Sequence, residues 1–148
     1  MQILNYRELI KNEELDLETS LYIFNSIKKF QQSDEHFYNA EETFKKVFWG
    51  YYEVFIIEDD GYKGCCATTL KLSTKGEYYV EVIFCLGEFK NKFIDYMRSL
   101  ISKVQDIYST DKPLFYKIDG RLGWSKYFKE LNMIEMSRTY VGGFDIGK

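Results

Sequence analysis

The groups best suited to nucleophilic or metal chemistry are thiols and imidazole, and this chain has few of either. Its three cysteines, Cys65, Cys66 and Cys85, lie in apolar stretches that are predicted strands. That placement favours reduced core thiols over a disulfide framework or a metal site. The single histidine, His36, lies in a polar segment between two predicted helices and is expected at the surface. The sequence therefore predicts no metal site and no triad with a histidine base.

The longest predicted element is an amphipathic helix from Glu88 to Tyr108. Its apolar residues recur at spacings of three and four. They are Phe89, Phe93, Met97, Leu100, Ile101, Val104 and Tyr108. Strands are predicted before it, from Tyr79 to Leu86, and after it, from Leu114 to Ile118. A connection of this length predicts parallel neighbouring strands joined by a right-handed crossover.

The first half of the chain predicts one strand and two helices. Met1 to Leu4 resembles a short strand, and an apolar stripe predicts a helix from Asp16 to Gln31. Asn39 followed by Glu42 resembles a capping box, which predicts the start of a second helix that ends at Gly50.

Three antiparallel strands are predicted next. Apolar runs from Tyr52 to Glu58, from Lys63 to Leu72 and from Tyr78 to Leu86 are separated by turn residues. Asp59-Asp60-Gly61 and Thr74-Lys75-Gly76 supply the turns, since glycine tolerates a positive φ. The sequence therefore predicts a meander.

A helix from Gly123 to Leu131 and a strand from Met133 to Tyr140 complete the pattern. The predicted order is strand, helix, helix, three strands, helix, strand, helix, strand, and no Gly-, Ser- or Pro-rich linker interrupts it. We expect a single α+β domain with a mixed sheet over residues 1–148.

Composition argues against several classes of partner. The formal net charge is −3, and no run of Lys or Arg exceeds two residues, so nucleic acid is not expected as a partner. Charged residues interrupt every apolar stretch before the roughly 20 residues of a membrane helix, which predicts a cytoplasmic protein without a membrane partner. Aromatic residues make up 18% of the chain. Codon bias or a partner-binding surface would each explain this content.

The element order resembles the fold of the GCN5-related N-acetyltransferases. The segment from Trp124 to Met133, followed by Arg138-Thr139-Tyr140, is similar to the late signature of that family, and the chain most resembles small acetyltransferase-like proteins of tailed phages. The resemblance implies a coenzyme A dependent N-acyltransferase that transfers acetyl from acetyl-CoA to a small amine or a protein amine, without a metal. A phage origin would imply association with the virion.

The resemblance places acetyl-CoA where the fourth strand meets the long helix. The matching positions are Leu86, Gly87, Lys90, Asn91 and Lys92. Backbone amides that open a helix attract phosphate. The Arg and further Gly residues of the family are absent here, and Glu88 adds a negative charge. In the alternative interpretation, the glycine ends a strand and both lysines lie on a solvated helix face.

The resemblance also implies catalytic residues. Glu81, in the middle of the fourth strand, is the candidate base that removes a proton from the amine, and a surface position is the alternative. Strand alternation places Glu81 on one face with Tyr79, Ile83 and Cys85. The opposite face then carries Val80, Val82, Phe84 and Leu86.

The acid that protonates the leaving thiolate is commonly a tyrosine in the family. Phe128 occupies that position here, so the adjacent Tyr127 is the candidate if the register is shifted by one residue.

Three hypotheses follow. The chain is an N-acyltransferase, or a noncatalytic protein of the same fold that serves as a structural or protein-binding component of a phage or mobile element, or an unrelated α+β domain. Homo-oligomers are expected if the aromatic residues form an exposed patch. The altered cofactor loop and Phe128 argue against activity, since function resides in a site and not in a fold.

Overall fold

The computed structural model describes residues 1–33, 39–87, 92–108, 114–118 and 129–131. Its compact units are residues 1–118 and residues 119–148. The described residues of the first unit form five strands and four helices. These are β1 (Gln2–Asn5), α1 (Tyr6–Lys11), α2 (Leu17–Ser33), α3 (Ala40–Phe48), β2 (Glu53–Asp59), β3 (Tyr62–Leu72), β4 (Tyr78–Gly87), α4 (Phe93–Tyr108) and β5 (Phe115–Ile118).

The five strands form one mixed sheet in the order β1-β2-β3-β4-β5. Strands β1 to β4 pair antiparallel, and β5 pairs parallel with β4. The predicted meander and the predicted parallel pair around the long helix are therefore confirmed, as is the α+β class with a mixed sheet.

Local turn and cap signals also agree with the structure. The Asn39 side chain accepts a hydrogen bond from the Glu42 backbone N–H at 3.1 Å and caps α3. Asp60 and Gly61 have φ values of 51° and 84°, which suits the two-residue turn between β2 and β3. Gly76, with φ of 83°, turns the chain from β3 to β4.

The short helix α1 was not predicted, so three helices and not two precede β2. The Asn5 side chain caps α1 by accepting a hydrogen bond from the Glu8 backbone N–H at 3.0 Å. Among the six residues of α1, Leu9 alone is buried. A helix this short has too few turns to show an apolar stripe, so its sequence carries little periodic signal.

One extra residue in β4 changes which side chains share a face of the sheet. Ala67 pairs with Phe84 and the next β3 residue, Thr68, pairs with Val82, so Ile83 forms a bulge. After the bulge, each β4 side chain lies on the face opposite to the one that simple alternation from Glu81 predicts.

Glu81 therefore lies on the same face as Phe84 and Leu86, whereas Cys85 lies on the other face. The predicted grouping of Glu81 with Cys85, opposite Phe84 and Leu86, is wrong because simple alternation assumes an uninterrupted ladder.

Helices pack on both faces of the sheet. On one face, α1, α2 and α3 contribute Leu9, Ile23, Ile27, Phe30 and Val47 to a core that includes the strand residues Val54, Ile56, Cys65, Ala67 and Phe84. On the other face lies α4, whose Tyr108 hydroxyl is 3.0 Å from the Thr68 hydroxyl.

The described part of α4 begins at Phe93, and Lys92, directly before it, has a 3₁₀ conformation. Met97, Leu100 and Val104 of the predicted stripe are buried. Tyr96, which was not assigned to the stripe, is buried as well.

The second unit is described at residues 129–131. Lys129 and Glu130 are helical there, within the helix predicted from Gly123 to Leu131. The rest of that helix and the strand predicted from Met133 to Tyr140 lie outside the described residues. None of the helices in the described ranges is long and apolar enough to cross a membrane.

Candidate active site

Glu81 is a largely buried carboxylate near the middle of the sheet. Its side chain is 14% exposed, and its Oε2 atom contacts the Lys71 ammonium of β3. Among the described residues, this ion pair is the sole polar contact of that buried oxygen. A carboxylate oxygen with one polar contact retains acceptor capacity for another cation or for a proton.

The pair forms because of strand register. Glu81 pairs with Thr69 and Tyr79 pairs with Lys71, so the lysine and the glutamate are diagonal neighbours on one face. Contact with the Glu81 carboxylate raises the pKa of Lys71, and Tyr79 and Tyr52 add smaller effects in the same direction. The Lys71 amine is therefore protonated at neutral pH.

The bulge at Ile83 follows Glu81 by two residues. The described pairing between β4 and β5 ends at Val82 and Ile118, whereas β4 continues to Gly87. A bulge leaves backbone groups out of the ladder, and such groups are common next to binding sites. Residues 83–87 of β4 therefore extend past the described pairing with β5.

Leu86 and Gly87 form the carboxyl end of β4. The φ of Gly87 is 153°, in a region that residues with side chains rarely adopt. Leu86 is half-buried and packs against the core beneath α2 and α3. Glycine therefore has a conformational reason to occupy this position, where the chain leaves the sheet toward α4.

Lys92 is paired with Asp59 at the carboxyl end of β2, which lies at the same end of the sheet as the carboxyl end of β4. Its ammonium lies 3.2 Å from Asp59 Oδ2, and the Tyr96 hydroxyl donates a hydrogen bond to the same oxygen at 2.8 Å. The Tyr96 hydrogen bond and then Lys92 lower the pKa of Asp59, and Asp59 in turn raises the pKa of Lys92. Of the two lysines expected to bind phosphate, Lys90 and Lys92, Lys92 is therefore paired with a carboxylate.

Other predicted site residues are not described. Lys90, Asn91, Tyr127 and Phe128 lie outside the described residues, as does His36. Their predicted roles remain predictions.

The cysteines are free and lie in β3 and β4, as predicted. Cys65 and Cys66 are buried, and burial raises the pKa of the Cys65 thiol to about 12. Within the described ranges, no group of three His, Cys, Asp or Glu residues is arranged to hold a metal ion.

Sequence reasoning missed Lys71 and Asp59. The turn at Gly76 could have predicted the position of Lys71, because a hairpin closed at this turn brings Lys71 of β3 opposite Tyr79 at the start of β4. The sequence pattern assigns Asp59 to a turn. No local pattern predicts its contacts with Lys92 and Tyr96, which lie 33 and 37 positions later.

Comparisons with known proteins agree on the fold. No protein-family model and no curated protein matches the chain. Among solved structures, one described as a "probable acetyltransferase" has a TM-score of 0.61 at 9% identity over 100% of this chain and 99% of its own.

A predicted acetyltransferase from Clostridium acetobutylicum, solved with acetyl-CoA, has a TM-score of 0.58 at 8% identity, covering 96% of this chain and 95% of its own. A ribosomal-protein-alanine N-acetyltransferase from Brucella melitensis biovar Abortus 2308 also has a TM-score of 0.58, at 12% identity, covering 97% and 100%. The chain therefore has the fold of the GCN5-related N-acetyltransferases over nearly its whole length.

Proposed function

We propose that the protein is a coenzyme A dependent N-acyltransferase that transfers an acetyl group to an amine. The observation that carries this proposal is a largely buried carboxylate, Glu81, beside the point where described β4–β5 pairing ends, in an acetyltransferase fold. Glu81 is the proposed base that accepts a proton from the acceptor amine. Tyr127 is the proposed acid.

The described residues fit acetyl-CoA in two respects. Gly87 ends β4 with a positive φ and has no side chain that would hinder close backbone approach, and Lys92, which is paired with Asp59, places an ammonium at the entry to α4. Leu86, Gly87, Lys90, Asn91 and Lys92 are the proposed binding residues. When bound, acetyl-CoA supplies an activated acyl group.

Calorimetric titration with acetyl-CoA tests the binding step. Saturable micromolar affinity, equivalent to about 8 kcal/mol, is expected. Desulfo and dephosphorylated analogues report which end of the ligand contributes. Absence of binding at millimolar ligand would leave the fold as a scaffold and overturn the proposal.

Replacement of Glu81 by Gln tests the base. The variant should retain affinity for acetyl-CoA and lose turnover by about a hundredfold or more, since general base catalysis contributes factors of this size. Glu77→Gln, at an exposed position in the turn before β4, is the matched control and should retain turnover. Equal turnover in both variants would remove Glu81 as the base.

Replacement of Gly87 by Val tests the binding site. A β-branched side chain at this φ strains the strand end and blocks close approach of phosphate. Gly76→Val is the matched control, because Gly76 also has a positive φ but lies in the turn before β4. Similar affinity for acetyl-CoA in both variants would show that the cofactor binds elsewhere.

A noncatalytic component of a phage or mobile element is the second candidate function. Phe48, Trp49 and Tyr51 at the end of α3 are 69%, 65% and 66% exposed, which suits contact with a protein partner or a second copy. Sedimentation analysis tests self-association. A concentration-dependent dimer that Trp49→Ala dissociates would support this candidate, and a monomer at all concentrations would argue against self-association.

A further inference from the structure

We propose that Lys71 is a self-acetylation site, at which the protein acetylates its own side chain. This inference rests on the proposed acyltransferase function. It identifies one acceptor for the site, a lysine ε-amine presented by the neighbouring strand.

The contact between Lys71 and Glu81 supports this inference. The Lys71 nitrogen is a primary amine that touches the buried Oε2 of the proposed base. Strand pairing holds the two residues as diagonal neighbours across the β3–β4 ladder, so their approach does not depend on a mobile segment.

Exposure permits the reaction. The Lys71 side chain is 49% exposed, whereas Glu81 is 14% exposed, so the amine reaches solvent while the carboxylate remains protected. Tyr52 and Tyr79 lie close enough to influence the Lys71 ammonium. The site thus already holds a cationic amine of the kind that a protein acceptor would present.

The reaction is an ordinary acyl transfer from a thioester. The Lys71 ammonium gives a proton to the Glu81 carboxylate, and the neutral nitrogen attacks the acetyl carbonyl carbon of acetyl-CoA. An N–C bond forms and the C–S bond breaks, and the thiolate leaves with the electron pair. The nitrogen then loses its second proton and the thiolate gains one, so the products are N-acetylated Lys71, protonated Glu81 and the free thiol of coenzyme A. Acetylation removes the Lys71 charge, so the modification would leave the Glu81 carboxylate without its ion pair.

Lys45 provides a matched control within the same chain. Its side chain is 43% exposed, and its ammonium contacts a carboxylate, Glu42, at 3.3 Å. Lys45 therefore resembles Lys71 in exposure and in ion pairing, but its two carboxylate partners, Glu42 and Glu41, are 65% and 80% exposed.

The test is peptide mass spectrometry of the full chain after incubation with isotope-labelled acetyl-CoA. We expect acetylation of Lys71 at least about tenfold faster than that of Lys45, and loss of this preference in Glu81→Gln, since a positioned base contributes factors of this size or more. Acetic anhydride, which needs no binding site, should label Lys71 no faster than Lys45. Lys71→Arg keeps the charge and should abolish the labelled peptide.

The outcomes separate the inference from the function beneath it. Equal labelling of Lys71 and Lys45 by acetyl-CoA, in a protein that binds the cofactor and acetylates an added amine, overturns the inference and leaves the acyltransferase function standing. Absence of cofactor binding overturns both. Preference for Lys71 with acetic anhydride as well would trace the labelling to intrinsic reactivity and would also overturn the inference.

Discussion

Asn5 links the first strand, the first helix and a buried carboxylate, and its replacement by Ala should be among the costlier polar substitutions. Its side-chain oxygen caps α1, while its Nδ2 donates to Glu53 Oε2 at 3.0 Å and to the Val54 carbonyl at 3.4 Å. Asn5 is 1% exposed and Glu53 is 5% exposed. Arg7 also contacts Glu53, so the carboxylate keeps one cation after the substitution.

The expected loss follows from these contacts. An N-cap contributes about 1 kcal/mol, and a hydrogen bond to a charged, buried acceptor contributes about 1.5–3 kcal/mol. Asn5→Ala should therefore lower the free energy of unfolding by about 3 kcal/mol. Asn39→Ala removes an exposed N-cap with one backbone contact and should cost about 1 kcal/mol.

Urea unfolding monitored by circular dichroism compares the two variants. Asn5→Asp adds a third measurement, because it keeps a cap acceptor but loses the Nδ2 donor and places a second carboxylate beside Glu53. It should be at least as destabilising as Asn5→Ala at neutral pH. Equal losses for Asn5→Ala and Asn39→Ala would refute the assignment of additional stability to the Glu53 contact.

Three further predictions concern the acid range, the core and the thiols. The Tyr96 hydrogen bond lowers the pKa of Asp59 in the folded state. The stability that ionised Asp59 contributes is therefore complete above its unfolded pKa and is lost as the pH falls below about 4. Asp59→Asn should reduce the slope of the unfolding free energy against pH in that range, and an unchanged slope would contradict this prediction. Phe84 is buried and stacks on Phe30, so Phe84→Ala should lower the free energy of unfolding in urea by about 3–5 kcal/mol. Phe48→Ala, at an exposed position, should change it by less than about 0.5 kcal/mol. Similar losses of unfolding free energy in the two variants would refute the core assignment. Cys65 is buried and its thiol has a pKa of about 12. Because the thiolate is the reactive form, Cys65 in the folded protein should resist iodoacetamide at pH 8 and should react once the protein is unfolded. Peptide mass spectrometry measures the extent of alkylation.

Much of the fold was predictable because its signals are local. The cap at Asn39, the turn at Asp60-Gly61 and the stripe of α4 each depend on a few neighbouring residues. The parallel pairing of β5 with β4 followed from chain connectivity. By contrast, α1 has two turns and one buried side chain, so its helix depends on the Asn5 cap and on contacts with β1 and β2.

The candidate site was less predictable because its contacts are set by register. Glu81 was recognisable as a carboxylate within an apolar strand, but its partner Lys71 depends on pairing across a hairpin. Lys92 was recognisable as a cation at the start of a helix, but its contact with Asp59 joins two elements distant in sequence. Side-chain pairing over such separations is decided by packing of the whole domain.

The bulge at Ile83 shows how one residue couples the sheet to the candidate site. Without it, Glu81 and Cys85 would share a face, and Phe84 would leave the core beneath α2 and α3. With it, Glu81 and Phe84 lie on one face, so the same strand supplies a core residue and a protected carboxylate there. The bulge interrupts the β3–β4 ladder directly after the last described β4–β5 pair, Val82 with Ile118. The position of the proposed base is therefore a consequence of sheet register, which explains why a short motif did not identify it.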